Sequence, residues 1–342
     1  MGRFHFVGPL PADSKLFVGR KKELKTAREL CLGPLQSYIT VVGARQMGKT
    51  SFLYRLQREL APHLASVLIN LQVIPDATPS ALFRFMATEI AKQLDLPALL
   101  CNAERVSSGP EFAQFLNELP ARIGRVVILI DEISSLPEKT AIYLANVLRA
   151  VFNDRLLSGF EALGRFIFLL SGGSELLNLS MTMVSPFSNI ATSIYLPDLT
   201  LGEVKQLIAC GLSGTPLKIG MVQELAEAIY EQTHGHPYLT QRMAAHIADY
   251  AQLEDSLPEP SWVSKARLEM LSNDENIRHI HKALQDPALL DAAFQTIQQP
   301  TPFRHLSLRH EKLFLLGIIR TENGIALPHN SLYAHAVHQL AE

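Results

Sequence analysis

The sequence predicts an α/β fold in which helices cover both faces of a parallel sheet, followed by a helical lid and a winged-helix domain. Two observations support this class. Five short runs of β-branched and aromatic residues alternate with longer segments whose apolar residues recur at helical spacing. A glycine-rich loop also joins the first of these runs directly to a helix. Strands and helices that alternate in this way build parallel sheets with helices on both faces.

The predicted elements alternate regularly up to residue 197. Strands are expected at 38–42, 66–71, 126–130, 166–170 and 192–196. Helices are expected at 23–31, 51–60, 79–93, 110–122 and 139–157.

Beyond residue 197 the pattern is mostly helical, with helices expected at 201–210, 221–232 and 237–252. Thr200 is the expected N-cap of the first of these, with Glu203 as its capping-box partner. Prolines mark a linker over 255–261. Farther on, a helix at 308–316 leads into two apolar runs joined by Asn323-Gly324, which is a strong hairpin signal. The expected domains are an α/β domain over 1–197, a helical lid over 198–258 and a winged helix over 259–342.

The composition indicates where the protein resides and whether it binds nucleic acid or a membrane. The strongest apolar runs, 126–130 and 166–170, are far shorter than the ~20 residues that a membrane helix needs. Three scattered cysteines form neither a metal-ligand spacing nor an even disulfide set, and the first residues lack a signal-peptide pattern. We therefore expect a cytoplasmic protein that does not bind a membrane. The formal net charge of -2 argues against a protein that coats nucleic acid.

The glycine-rich loop carries the chemistry. Residues 43–51 match the pattern G-x-x-x-x-G-K-[ST] between an apolar strand and a helix. Such a loop wraps a nucleoside triphosphate with its N–H groups, while its lysine reaches the β- and γ-phosphates and its hydroxyl ligates Mg²⁺. The residues expected to contact the nucleotide are Gly43, Ala44, Arg45, Gln46, Met47, Gly48, Lys49, Thr50 and Ser51.

A second motif lies about eighty residues downstream. The apolar run 126–130 ends in Asp131-Glu132, the form of a Walker B strand. We expect Asp131 to share the Mg²⁺ with Thr50, and Glu132 to polarise the attacking water. The next strand ends in Ser171, a candidate polar sensor of the γ-phosphate; the alternative is a strand-terminal serine in a glycine turn. Glu132, Lys49 and Ser171 are the expected catalytic residues.

Further segments make the pattern more specific. Phe17-Val18-Gly19-Arg20 precedes the first helix, and 234–239 reads His-Gly-His-Pro-Tyr-Leu. Together with the two motifs above, these segments resemble the STAND class of AAA+-related P-loop NTPases, most nearly the bacterial AAA-like domains and archaeal-type ATPases. The stretches 185–190 and 196–199 also look like that group, and the resemblance covers nearly the whole chain.

The resemblance implies ATP and Mg²⁺ as cofactors, with ADP as product, and a nucleotide contact for His236 and Pro237 in the lid. The residues alone leave alternatives open. His236 could equally cap and pack a helix, and Pro237 suits the first turn of that helix. Phe17 and Val18 could form one wall of an adenine pocket, or a buried strand.

The sequence departs from ring-forming relatives at residues 171–197, which contain no lysine or arginine. Motors of this class place an arginine finger there, worth roughly three to five orders of magnitude in rate. We therefore expect slow hydrolysis unless Arg149, Arg155 or Arg165 serves instead. Arg242 is the one substitute for the sensor arginine that such ATPases carry at the start of the lid helix.

The predicted winged helix could bind DNA or a protein partner, and its charge is the available discriminator. From residue 261 onward eight basic residues face eight acidic ones, and the expected wing at 322–324 begins with a glutamate. The basic residues of 304–312 would contact phosphates if DNA were bound, but a solvated helix face is the preferred interpretation.

Two functions therefore remain. The first is a STAND-type signalling switch that acts through a separate protein partner or effector, with assembly on ATP binding left open. The second is a DNA-associated AAA+ regulator, akin to origin-recognition or transposition-control ATPases, that assembles on DNA with ATP. A nucleotide-binding protein with negligible turnover is a third, weaker interpretation.

Overall fold

The computed structural model describes residues 4–34, 37–74, 77–173, 176, 186–215, 220–303 and 307–341. The chain forms two compact units. One, the sheet unit, consists of Arg20–Gly43 and Lys49–Leu196. The other, the C-terminal unit, consists of Met1–Gly19, Ala44–Gly48 and Pro197–Glu342, so it includes the middle of the phosphate loop. The division into three domains stays a prediction.

A five-stranded sheet forms the centre of the sheet unit. Its strands are β1 (Tyr38–Val42), β2 (Ala65–Asn70), β3 (Val126–Asp131), β4 (Phe166–Gly172) and β5 (Ala191–Tyr195). Their order is β2-β3-β4-β1-β5, and every neighbouring pair is parallel. The predicted parallel sheet is confirmed.

Burial explains why these strands read as continuous apolar runs. Every residue of β1, β3 and β4 is buried, because neighbouring strands flank them and helices cover the sheet. The edge strands β2 and β5 are only partly buried and carry polar residues.

In the described part of the sheet unit, six helices accompany the sheet: α1 (Lys21–Leu32), α2 (Lys49–Leu60), α3 (Pro79–Gln93), α4 (Leu100–Ala103), α5 (Gly109–Asn117) and α6 (Glu138–Asp154). Local chemistry fixes several of their ends. The hydroxyls of Thr78 and Ser108 accept from backbone N–H groups in the first turns of α3 and α5. The long helix predicted over 110–122 is wrong in its second half. It ends at Asn117 because Pro120 cannot continue a helix and disfavours helical geometry in the residue before it.

The C-terminal unit is mainly helical. Its described residues first form the helices α7 (Leu201–Gly211), α8 (Met221–Thr233), α9 (Pro237–Leu253), α10 (Val263–Asn273), α11 (Glu275–Ala283) and α12 (Pro287–Gln298). The predicted capping box is confirmed, since the Thr200 hydroxyl accepts from Glu203 N–H while the Glu203 carboxylate accepts from Thr200 N–H. One apolar core joins these helices to the elements that follow.

The chain ends in a small sheet flanked by helices. Strands β6 (Thr301–Pro302), β7 (Ile319–Glu322) and β8 (Ile325–Pro328) pair antiparallel in the order β6-β8-β7. Helix α13 (Leu308–Leu315) precedes β7, and α14 (Ser331–Ala341) follows β8. Asn323 and Gly324 both have positive φ, 51° and 77°, as the predicted two-residue hairpin turn requires.

Within the ranges described above, no helix combines the length and hydropathy needed to cross a bilayer. Two of the segments singled out in the sequence include residues outside those ranges. Ser185 of the family-like 185–190 stretch, and Arg304 and His305 of the basic cluster, lie outside the described residues.

Candidate active site

The phosphate loop lies between the end of β1 and the start of α2, as predicted. Gly48 has φ 82°, which a glycine adopts at little cost, and Gln46 has φ 61°, which is uncommon for a residue with a side chain. Arg45 is exposed and Met47 is buried. The Met47 N–H lies 3.4 Å from the Ala44 carbonyl oxygen, so the loop turns tightly.

Lys49 and Thr50 begin helix α2 in the sheet unit. The Lys49 ammonium donates to the Gly43 carbonyl oxygen at 2.9 Å, across the base of the loop. The Thr50 hydroxyl donates to Asp131 Oδ2 at 2.6 Å. Asp131 ends strand β3 and is only 2% exposed. The helix start and the Walker B strand therefore meet through a hydroxyl and a carboxylate, both of which are Mg²⁺ ligand types. Ser51, the last residue of the motif, is buried in the same helix.

Glu132 follows Asp131 in an unusual backbone conformation. Its φ and ψ are 58° and 48°, in the left-handed region, and its N–H donates to Asp131 Oδ1 at 3.0 Å. Non-glycine residues held in this region cluster at functional sites, where the surrounding structure fixes the orientation of the side chain. Glu132 is half-buried.

Ser171 lies on β4, paired in register with Val41 of β1. Its side chain is fully buried, and among the described residues its hydroxyl oxygen has no hydrogen-bond partner. A buried polar atom without a partner is costly unless a ligand or water satisfies it. This placement fits a sensor of bound phosphate, and it is also compatible with the alternative of a strand-end turn residue.

The predicted adenine wall and lid motif lie in the C-terminal unit. Val18 is 5% exposed and packs in the apolar core of that unit, while Phe17 is half-buried. His236 is the N-cap of α9, where its Nδ1 lies 3.5 Å from Leu239 N–H. Pro237 occupies the first turn of the same helix and is half-buried.

The His236 ring is 1% exposed and faces aromatic neighbours. Its centroid lies 5.6 Å from that of His329 and 5.9 Å from that of Tyr333, and its Nε2 lies 3.4 Å from the Tyr333 hydroxyl. The structure therefore gives His236 internal partners. Its contact with nucleotide stays a prediction that only the family resemblance implies.

Sequence reasoning missed an ionisable pair in this unit, formed by a buried histidine and a half-buried aspartate. His329 Nε2 lies 2.8 Å from Asp198 Oδ2. Burial alone would raise the pKa of Asp198, but the hydrogen bond from His329 and the charge of nearby imidazoles outweigh burial and hold that pKa below its usual value. Asp198 stands in the family-like 196–199 stretch, and no pattern in the sequence links it to His329.

The candidate arginines also have defined positions. Arg165 donates from three nitrogens to the carbonyl oxygens of Leu119, Pro120 and Ala162, at 2.8–3.1 Å. Arg242 forms an ion pair with buried Asp274 at 3.5 Å and stacks on the Phe6 ring at 4.4 Å. Both arginines thus hold the chain's own groups in place, which argues against Arg165 as a substitute finger and Arg242 as a sensor.

Arg149 and Arg155 make local contacts on and near helix α6. Arg149 donates to the Pro186 carbonyl oxygen at 3.3 Å, and the Arg155 guanidinium lies 3.6 Å from the centroid of the Phe152 ring. Within the sheet unit, the Lys49 ammonium, the Thr50–Asp131 pair and the Ser171 hydroxyl are therefore groups that fit a Mg²⁺-nucleotide, while no arginine has an evident catalytic position among the described residues.

Comparison with known proteins defines the class. The chain matches the AAA-like domain family over residues 6–339, and it belongs to that family. With the parallel sheet, the phosphate loop and the Walker B strand described above, it is an AAA-like P-loop ATPase.

Solved structures share this fold at low sequence identity. A Walker-type ATPase of Pyrococcus abyssi matches with a TM-score of 0.69 and 14% identity, covering 97% of this chain and 99% of that one. The ORC2 protein of Aeropyrum pernix, solved in ADPNP and ADP complexes, has a TM-score of 0.57 and 14% identity, covering 94% of this chain and 93% of that one. The ORC1 protein of the same organism, solved in complex with DNA, has a TM-score of 0.52 and 16% identity, covering 95% and 94%.

A curated relative is much longer. An uncharacterised WD repeat-containing protein of Synechocystis sp. is 26% identical over a 286-residue alignment that covers 80% of this chain. The chain spans only 23% of the length of that relative.

Proposed function

We propose that the chain binds ATP with Mg²⁺ at the phosphate loop and hydrolyses it slowly to ADP and phosphate. The hydrogen bond of 2.6 Å between Thr50 and Asp131 carries this proposal. It joins the two motifs through the two side chains that would hold the Mg²⁺.

Each polar group then has a defined task. Lys49 would exchange the Gly43 carbonyl for the β- and γ-phosphates, which keeps its ammonium paired in both states. Mg²⁺, when bound, neutralises the charge that develops on the phosphate oxygens. Glu132 would accept a hydrogen bond from the attacking water and orient it, and the Ser171 hydroxyl would donate to a γ-phosphate oxygen.

Slow turnover follows from the positions of the arginines. Stabilisation by an arginine is worth roughly three to five orders of magnitude in this chemistry. Residues 171–197 offer no cation, and Arg165 holds three backbone carbonyls. The site can therefore bind and position ATP without the group that makes motors fast.

We further propose that this ATPase is a STAND-type switch whose C-terminal sheet and helices form a winged helix. Loop residues 44–48 belong to the same compact unit as these elements, which supports a switch in which nucleotide at the loop acts on that unit. The order helix α13, hairpin β7–β8, helix α14 supports the winged-helix assignment.

DNA binding is the second candidate, because one structure of similar fold was solved in complex with DNA. The charges of the β7–β8 hairpin argue against DNA binding. Arg320, on strand β7 beside the wing, is paired with Glu322 on the same strand at 2.5 Å, so this part of the hairpin presents little net positive charge. Titration of labelled duplex DNA at two salt concentrations, with and without ATP, decides the matter. Tight, salt-sensitive binding would favour the DNA-associated regulator.

Two variants test the ATPase itself. Lys49→Ala should weaken ATP binding by about 10- to 100-fold, because a charged hydrogen bond to phosphate is lost. Glu132→Gln should keep the affinity and lower the hydrolysis rate by about 10²- to 10⁴-fold. Equilibrium binding and phosphate release are the measurements. Unchanged hydrolysis in Glu132→Gln would remove Glu132 from the mechanism.

A further inference from the structure

The phosphate loop makes a side-chain contact that the phosphate chemistry does not use. Asn276 Nδ2 donates a hydrogen bond to Oε1 of Gln46, which stands in the middle of the loop. Asn276 is the second residue of helix α11, and both residues belong to the C-terminal unit.

Asn276 is itself held by other groups. Its Oδ1 accepts from the Tyr333 hydroxyl at 2.8 Å, and its N–H donates to Asp274 Oδ1 at 2.8 Å. Asn276 is 3% exposed and Tyr333 is 2% exposed. A buried amide with partners at both its oxygen and its nitrogen has one favoured orientation. Asn276 therefore offers its donor to Gln46 at a fixed point.

The loop conformation is one that such a partner would stabilise. Gln46 has φ 61°, and a non-glycine residue stays in this region only where its surroundings fix it. The neighbouring Ala44 is also closely packed, since a Cβ added at Gly317 would come within 2.9 Å of the Ala44 Cβ. Residues 44 and 46 are thus both supported by the C-terminal unit, while Arg45 between them is exposed.

We propose that Asn276 is a positioning residue for the phosphate loop. By holding Gln46 in its left-handed conformation, it keeps the loop in the shape whose N–H groups receive the β-phosphate, and so raises the affinity for ATP and ADP. This rests on the proposed function, because it concerns the same loop. It also links the lid motif to the loop, since His236 lies 3.4 Å from the Tyr333 hydroxyl that holds Asn276.

A double-mutant cycle tests the proposal. Titration with a fluorescent ADP analogue, and competition with ATP, are carried out on wild type, Gln46→Ala, Asn276→Ala and the double variant. Each single change should weaken binding by about threefold to tenfold, the usual effect of one hydrogen bond. The double variant should bind no more weakly than the weaker single variant, because both changes remove the same contact. In steady-state hydrolysis, Asn276→Ala should raise KM and leave kcat unchanged.

Controls separate this role from general stability. Asn273→Ala changes an exposed asparagine at the end of α10 and should bind like wild type. Thermal unfolding reports whether Asn276→Ala folds. If it does not, the half-buried Gln46→Ala and the hydroxyl deletion Tyr333→Phe decide, and both should weaken binding.

Three outcomes overturn the proposal: unchanged affinity in the folded variants, losses that multiply in the double variant, or tighter binding, which would mean that the contact holds the loop away from nucleotide. Wild-type protein that binds no nucleotide would instead contradict the proposed function itself.

Discussion

The Asp198–His329 pair shows how one residue contact sets a pH dependence. The pKa of Asp198 lies below its ordinary value of 3.8, so the folded state holds its proton less tightly than the unfolded chain does. The stabilisation is therefore complete above the unfolded value and is lost as the pH falls through the lower, folded value.

Asp198→Asn should accordingly destabilise the protein near neutral pH, because the charge-assisted hydrogen bond to His329 is replaced by a weaker one. Denaturant unfolding of wild type and variant across the acid range measures the effect. The difference in unfolding free energy should shrink as the pH falls below ~3.8. A difference that is constant with pH would show that the ionised carboxylate is not the source.

For single residues, the sequence predicted the members of local motifs better than the side chains that contact them. Thr50 and Asp131 could be paired in advance, because a phosphate loop and a Walker B strand have fixed roles. The partners of His236 could not be predicted. They are the side chains of His329 and Tyr333, which lie far away in the chain, and isolated polar and aromatic residues carry no periodic signal that would pair them.

Among the elements, the turn between α8 and α9 has the tightest backbone constraint. Gly235 has φ 78°, and a Cβ added there would lie 1.9 Å from the Leu199 carbonyl oxygen. The Leu199 N–H donates to the Gly235 carbonyl oxygen at 2.9 Å, so the segment entering α7 lies directly against this turn. The glycine of the family-like lid motif is therefore required by packing.

Gly235→Ala should lower the unfolding free energy by about 2–4 kcal/mol, because left-handed strain adds to a backbone clash. Gly214→Ala is the matched control. It has φ 87° in the same unit but no atom within 4 Å of the added Cβ, so it should show the strain alone. Thermal or denaturant unfolding gives both values. Equal losses in the two variants would contradict the clash.

Element prediction succeeded where the hydrophobic period was unbroken. The strands β1 and β3 begin at the predicted residues, and the hairpin turn at Asn323-Gly324 is correct. The division of 263–298 into α10, α11 and α12 could not be read from periodicity. Asp274 and Asp286 cap α11 and α12, but an aspartate is also common inside loops, so the cap is evident only once the helix start is known.

For the whole molecule, nucleotide binding should appear as added stability. A ligand that binds only the folded state contributes about 2.7 kcal/mol at a hundredfold excess over its Kd. We expect Mg²⁺-ATP to raise the Tm of wild type by several degrees.

Thr50→Ala should bind ATP with little dependence on Mg²⁺, whereas Thr50→Ser keeps the hydroxyl and should behave like wild type. A Mg²⁺ effect that survives in Thr50→Ala would contradict the metal assignment.

The strand order has one more consequence, which concerns how the chain reaches this structure. Strand β1, the first to be synthesised, lies between β4 and β5, the last two strands of its sheet. Its two hydrogen-bonding edges therefore stay unpaired until almost the whole sheet unit has emerged. Pairings between distant segments delay folding, because the entropy of closing a long loop is lost before the stabilising contacts form. We expect slow refolding, with an apolar strand exposed meanwhile, and hence a need for dilute conditions or a chaperone during synthesis.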